Sequence, residues 1–140
     1  MSTNSETQEQ LIRRMLQAKR IAVVGLSDDP MRPSYEVANY LRAHGYQIIP
    51  VNPNCTSVFG IPSVPSLAEV EGPIDLVDVF RRPDACEQVT REAIAARAHG
   101  IWLQLGIRND PAATLARNAG IDFVQDRCLK IDHMRFGASA

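Results

Sequence analysis

A chain of 140 residues with 45% hydrophobic and 22% charged residues and a formal net charge of −1 has the size and balance of one globular domain. That balance excludes intrinsic disorder, and the dispersed Lys and Arg leave no basic field for a nucleic-acid backbone. No apolar run nears the roughly 20 residues of a bilayer span, and the polar start MSTNSETQEQ has no basic-then-apolar leader, so a cytoplasmic protein with neither membrane nor nucleic-acid partner is expected.

Residues 1–9 read as a flexible N-terminal segment running into an amphipathic helix, whose period spans residues 6–19 and sets Leu11, Ile12, Met15 and Leu16 on one stripe. A strand is predicted at 21–25, then a helix from Ser34 that carries Val37, Tyr40 and Leu41 on one face and stops at Gly45. The run 47–51 is the second strand. A Pro- and Asn-rich loop follows, with a short helix at 66–71 and a third apolar strand at 74–80. Pro83 opens a helix to about residue 98, residues 101–105 form a strand, and Asp110 and Pro111 open a helix closed by Gly120. A fifth strand at 121–125 and a last helical turn over 127–134 lead into a frayed tail, 136–140, so one domain is expected over residues 10–135.

Five largely apolar strands separated by helices predict an α/β fold, a single Rossmann-like doubly wound parallel five-stranded sheet of strand order 3-2-1-4-5. Ligands of such sheets bind beyond the carboxyl ends of the strands where the order reverses. Interest therefore falls on the loops after Val24, Val51, Phe80 and Leu105.

The first of these, from Gly25 to Ser34, joins a buried strand to a helix N-terminus, where free N–H groups and the dipole favour an anion. It reads equally well as a turn at Gly25 with Ser34 capping the helix, because the second and third glycines of G-x-G-x-x-G are missing. Arg32 adds a cation there, opposed by Asp28, Asp29 and Glu36. The second loop, Val51-Asn52-Pro53-Asn54, lacks the acidic residue that holds a dinucleotide ribose, which weighs against a nicotinamide cofactor.

The strings IAVVGLSDDPMRPSYEVANYL, GYQIIPVNPN, FGIPSVPSL, IDLVDVFRRP and WLQLG, arriving in this order over about residues 10–135, resemble the stand-alone CoA-binding protein family. That family is related to the N-terminal domain of the succinyl-CoA synthetase alpha subunit and of ADP-forming acyl-CoA synthetases. The resemblance implies coenzyme A or an acyl-CoA as ligand. By position it implies contacts from Gly25, Ser27, Arg32 and Ser34; from Val51, Asn52 and Pro53; from Phe80, Arg81 and Pro83; and from Gln104 and Gly106. The synthetases act through a phosphorylated histidine on another domain, which this chain has no room for, so a non-catalytic binding module is expected. The alternatives are an NAD(P)(H)-binding redox sensor or small oxidoreductase on the same fold, and an interaction subunit that uses the cleft for a protein partner.

Cys55, Cys86 and Cys128 are too scattered for a disulfide framework or zinc site. Cys128 is the candidate for thiol exchange with CoA, with Arg127 beside it to favour the thiolate, against the plain reading of an inert buried thiol. His44 and His99 read as helix C-terminal residues, and His133 has no nucleophile or second metal ligand at a useful spacing. Asp75 and Asp78 read as strand-end or Arg-paired carboxylates, and Trp102 as core.

Overall fold

The structure, a computed structural model, describes residues 6–137. Thr7 accepts from the Gln10 N–H while Gln10 bonds back to Thr7, a capping box that starts α1 (Gln8–Met15) inside the segment expected to be flexible. Residues 1–5 of that segment and 138–140 of the expected tail lie outside the described residues. Then follow β1 (Arg20–Val24), α2 (Pro33–Ala43), β2 (Gln47–Val51), a hairpin of β3 (Ser57–Val58) and β4 (Ile61–Pro62), β5 (Leu76–Val79), α3 (Cys86–Ala95), β6 (Gly100–Leu103), α4 (Asp110–Asn118), β7 (Asp122–Val124) and α5 (Leu129–Asp132). The expected helix at 66–71 is only a 3-10 turn, Leu67–Glu69, and α5 continues as a π turn, His133–Gly137.

The hairpin was not foreseen. Its turn, Phe59-Gly60, has φ of 57° and 75°, the left-handed geometry that matches strand twist. Phe59 tolerates it because Tyr35 packs on the ring at 4.6 Å and the Arg42 guanidinium lies over it at 4.5 Å.

The main sheet is wholly parallel in the order β2-β1-β5-β6-β7. Numbering its five strands along the chain gives 2-1-3-4-5, which corrects the expected 3-2-1-4-5. The physical reason lies at the outer edge of β2, where Val64 makes a lone parallel bridge to Val51, with Val64 N–H to the Pro50 oxygen at 3.1 Å and Asn52 N–H to the Val64 oxygen at 2.9 Å. That short proline-flanked segment takes the edge place. The strand β5, buried at every residue, goes instead between β1 and β6, where both faces are covered.

One face of the sheet packs on α3 and α4 through Cys86, Val89, Ala93, Ala112 and Ala116; the other packs on α1 and α2 through Ile12, Met15, Val37, Ala38 and Leu41. Trp102 is fully buried on the second face and its indole N–H donates to the Arg127 oxygen at 2.8 Å. Two contacts clasp α2 to the end of the chain: Lys130 pairs with Glu36 at 3.0 Å, and the Tyr40 hydroxyl meets His133 Nδ1 at 2.7 Å. Burial, with His44 close by, holds the His133 pKa below its ordinary value. His44 Nδ1 lies 2.8 Å from the Tyr40 carbonyl at the helix end.

The two aspartates of the third sheet strand part company. Asp75 precedes β5 and accepts the Lys19 and Arg20 N–H groups at 2.9 Å each, which holds its carboxyl below the usual range. Asp78 stands between Val23 and Trp102 at the sheet centre, fully buried, and neither carboxyl oxygen has a hydrogen-bond partner among the described residues. Burial pushes its pKa well above the ordinary 3.8. The folded chain thus holds a proton that the unfolded chain releases, so the stability present in acid is lost as pH rises above 3.8 toward the raised value. Asp78→Asn is expected to match the parent near the acid end of that window and to be more stable by about 2 kcal/mol at neutral pH. Urea midpoints across pH check this; a stability difference that does not change with pH would refute it.

Candidate functional site

From β1 the chain winds through α2 to β2 on one side, and from β5 onward it winds the other way, so the switch point lies between β1 and β5. Gly25 and Phe80 follow those two strands. The Gly25 N–H donates to the Val51 oxygen and the Phe80 N–H to the Val24 oxygen, both at 2.8 Å, which draws the first three loops together. Gly25 has φ of +86°, and a Cβ there would overlap the Phe80 carbonyl oxygen and stand 3.1 Å from its carbon. Only glycine lets the two loops approach this closely.

Beyond Gly25 the loop is fixed by its own polar groups. The Ser27 N–H donates to Ser34 Oγ, the Asp29 N–H to Ser27 Oγ and the Met31 N–H to Asp29 Oδ1, each at 3.0 Å. The N-cap of α2 is Arg32, in extended conformation, and no side chain caps the helix. Ser34 is therefore not the cap but a brace across the loop. Pro33 has no N–H and those of Tyr35 and Glu36 bond to the Arg32 oxygen at 3.1 and 3.2 Å, so this end of the eleven-residue helix offers an anion the Ser34 N–H and the helix dipole.

Two adjoining chambers open along the carboxyl edge of the sheet. The smaller, about 500 Å³, lies on the β2 side between Val51, Asn52 and Pro53, the segment Pro65 to Leu67, and Gln88 and Val89 of α3. The larger, about 820 Å³, is walled by Ser27, Arg32, Ser34 and Val37 on one side and by Gln104, Leu105, Ile107, Cys128 and Ile131 on the other. Gly25, Asn52, Asn54, Phe80 and Arg81 border both and form the seam. Arg82, which also borders the larger chamber, lies 3.6 Å from Asp84; Arg32 and Arg81 have no carboxylate partner among the described residues. Of the acidic groups nearby, Glu36 is paired with Lys130 and Asp29 holds the Met31 N–H, which leaves Asp28 facing the chamber.

Most residues expected at the site meet here: Gly25, Ser27, Arg32, Ser34, Val51, Asn52, Pro53, Phe80, Arg81, Gln104 and Cys128 all line one chamber or both. Two do not. Pro83 starts the turn before α3, where its carbonyl accepts from Asn109 at 2.9 Å, and Gly106 turns away to donate its N–H to Asp126 at 2.7 Å. Asn52 and Gln104 are braces as well as wall: Asn52 donates to the Leu26 oxygen at 3.0 Å and accepts the Asn54 N–H at 2.9 Å, while Gln104 accepts the buried Leu129 N–H at 3.0 Å. Cys128 is half-buried, and Arg127 turns not to this thiol but to Asp132, at 2.6 and 2.9 Å.

Sequence reasoning missed the far walls, Leu67 and Val89 in the smaller chamber and Leu105, Ile107 and Ile131 in the larger. The one available signal was the pair of large apolar residues flanking Gly106 in what reads as a loop.

These features define a class, a doubly wound α/β protein with an anion-compatible cleft at its switch point. The chain belongs to the CoA binding domain family, whose model matches residues 19–134. It is 42% identical over 123 residues, 87% of this chain and 91% of the relative, to the uncharacterized protein YneT of Bacillus subtilis (strain 168). A solved structure, cell-free ID.343 from Thermus thermophilus, is 42% identical and superposes with a TM-score of 0.88 over 93% of this chain and 99% of that one. The dinucleotide forming acetyl-coenzyme A synthetase 1 of Ca. Korarchaeum cryptofilum, at 20% identity, shares the fold with a TM-score of 0.73; 82% of this chain matches 28% of that one.

Proposed function

We propose that the cleft binds coenzyme A or an acyl-CoA, and that the chain holds this ligand without performing chemistry on it. The observation that carries the reading is the charge along the cleft: Arg81 borders both chambers while Arg32 and the α2 N-terminus line the larger one, so a ligand with its phosphates beside the seam can send one arm into each. The adenosine lies in the smaller chamber against Val51, Pro53 and Leu67, and the pantetheine runs through the larger past Gln104 toward Cys128. The family match supports the ligand.

A nicotinamide cofactor fits less well. At the end of β2 a dinucleotide site needs a free acidic group for the ribose, and here Asn52 stands with both ends of its side chain bonded to backbone. Native mass spectrometry of freshly purified protein, followed by titration with CoA, acetyl-CoA and NADH, separates the readings. Saturation by the CoA species alone is expected; selective NADH binding, or no CoA binding at millimolar concentration, would overturn the proposal.

A further inference from the structure

Large apolar side chains left open to water are few among the described residues: Met31, Leu105, Ile131 and Met134. Leu105 and Ile131, 63% and 47% exposed, come from distant parts of the chain yet both line the larger chamber, as does Ile107. Such a cluster carries a solvation cost that a soluble surface normally avoids.

Ile107 packs partly against the core, and the local hydrogen bonding explains why Leu105 and Ile131 do not fold back onto it. The loop after β6 and the segment leading into α5 bond to each other through Gln104 and the Leu129 N–H at 3.0 Å, the Gly106 N–H and Asp126 Oδ1 at 2.7 Å, and the Asp126 N–H and the Ile107 oxygen at 3.1 Å. The Trp102 indole N–H on the Arg127 oxygen anchors the same segment to the sheet. The polar groups of both segments are thus used on one another. What remains facing the chamber is a fixed apolar surface, pre-organised rather than collapsed.

Its place along the sheet says what it meets. In the order β2-β1-β5-β6-β7 the smaller chamber lies over the β2 end, the cations come from the loops after β1 and β5, and the apolar wall belongs to the loop after β6 and to α5. A ligand laid along this edge with its phosphates at the seam brings its far end, beyond the pantetheine, to Leu105, Ile107 and Ile131. We propose that this end is a slot for the aliphatic acyl group of an acyl-CoA thioester, with those three residues setting the preference for chain length. The inference rests on the CoA reading above.

Isothermal titration of acetyl-CoA and hexanoyl-CoA tests it. A slot open to water on one side should return about half the full transfer free energy of each methylene, roughly twofold in affinity per carbon, so hexanoyl-CoA is expected to bind on the order of tenfold more tightly than acetyl-CoA. In the Leu105→Ser/Ile131→Ser double variant, both changes being at exposed positions, that ratio should fall to about one. Saturable binding of both thioesters with a ratio near one in the parent protein, or a ratio that the double variant retains, would overturn the slot while leaving the CoA reading in place. Failure of every CoA species to bind would remove both.

Discussion

Replacing Gly25 by alanine is expected to cost on the order of 3 kcal/mol of stability, roughly 10 °C in Tm for a domain of this size, and to abolish binding in the cleft. Two effects add. A residue with a Cβ held at φ of +86° is strained by about 1–2 kcal/mol, and the new methyl would also overlap the Phe80 carbonyl, which is fixed because the Phe80 N–H is bonded to Val24 at 2.8 Å. Neither loop can yield without giving up ladder hydrogen bonds at the end of a central strand. Gly45, just past α2, separates the two effects: its φ is +97°, but a Cβ there meets nothing within 4 Å. Gly45→Ala should therefore show only the backbone strain. Urea midpoints of the two variants, with a CoA titration below the transition, provide the comparison; equal losses for both would mean that the contact between the first and third loops is not what Gly25 serves.

The switch-point loops were legible before any coordinates because their strands announce themselves. Residues 21–24 and 76–79 are buried at every position, and only a parallel sheet covered on both faces asks for such runs. Once those strands are placed, the rule that ligands gather at their carboxyl ends points to the loops after Val24 and Phe80, and the choice of Arg81 within the second loop came from the family resemblance. Strand order was not legible, because it turns on Val64, one residue in a proline-rich stretch whose bridge to Val51 carries no pattern in sequence. The hairpin escaped for a related reason: two-residue strands are too short to show a period, and the turn uses Phe59 where glycine or asparagine is the usual signal. Asp75 and Asp78 look alike in the string IDLVDVF, and only register separates them, one at the strand mouth among free N–H groups and the other between Val23 and Trp102. The apolar wall of the larger chamber is likewise a product of tertiary structure, since the Gln104–Leu129 clasp ties together the segments that carry Leu105 and Ile131 and neither residue is marked by its neighbours.

Charge at the seam leads to a prediction of comparable size. Arg32→Ala and Arg81→Ala are each expected to weaken CoA about tenfold, the share of a charge-assisted phosphate contact that survives solvent screening at an exposed position, and the double variant about a hundredfold. Arg82→Ala serves as the control, because Arg82 already lies 3.6 Å from Asp84 with 83% of its side chain exposed, and its loss should cost less than threefold. The source of the effect is read from the ligand: pantetheine has the same arm for the larger chamber but no phosphate, so its affinity should not change in either variant. Salt provides an independent check, since added ions screen exposed charges. CoA affinity of the parent protein should fall as ionic strength rises, and that slope should flatten in the double variant. Equal losses for CoA and pantetheine would mean that the two guanidiniums shape the loops rather than hold phosphate, and the anion site would then rest on the α2 N-terminus alone.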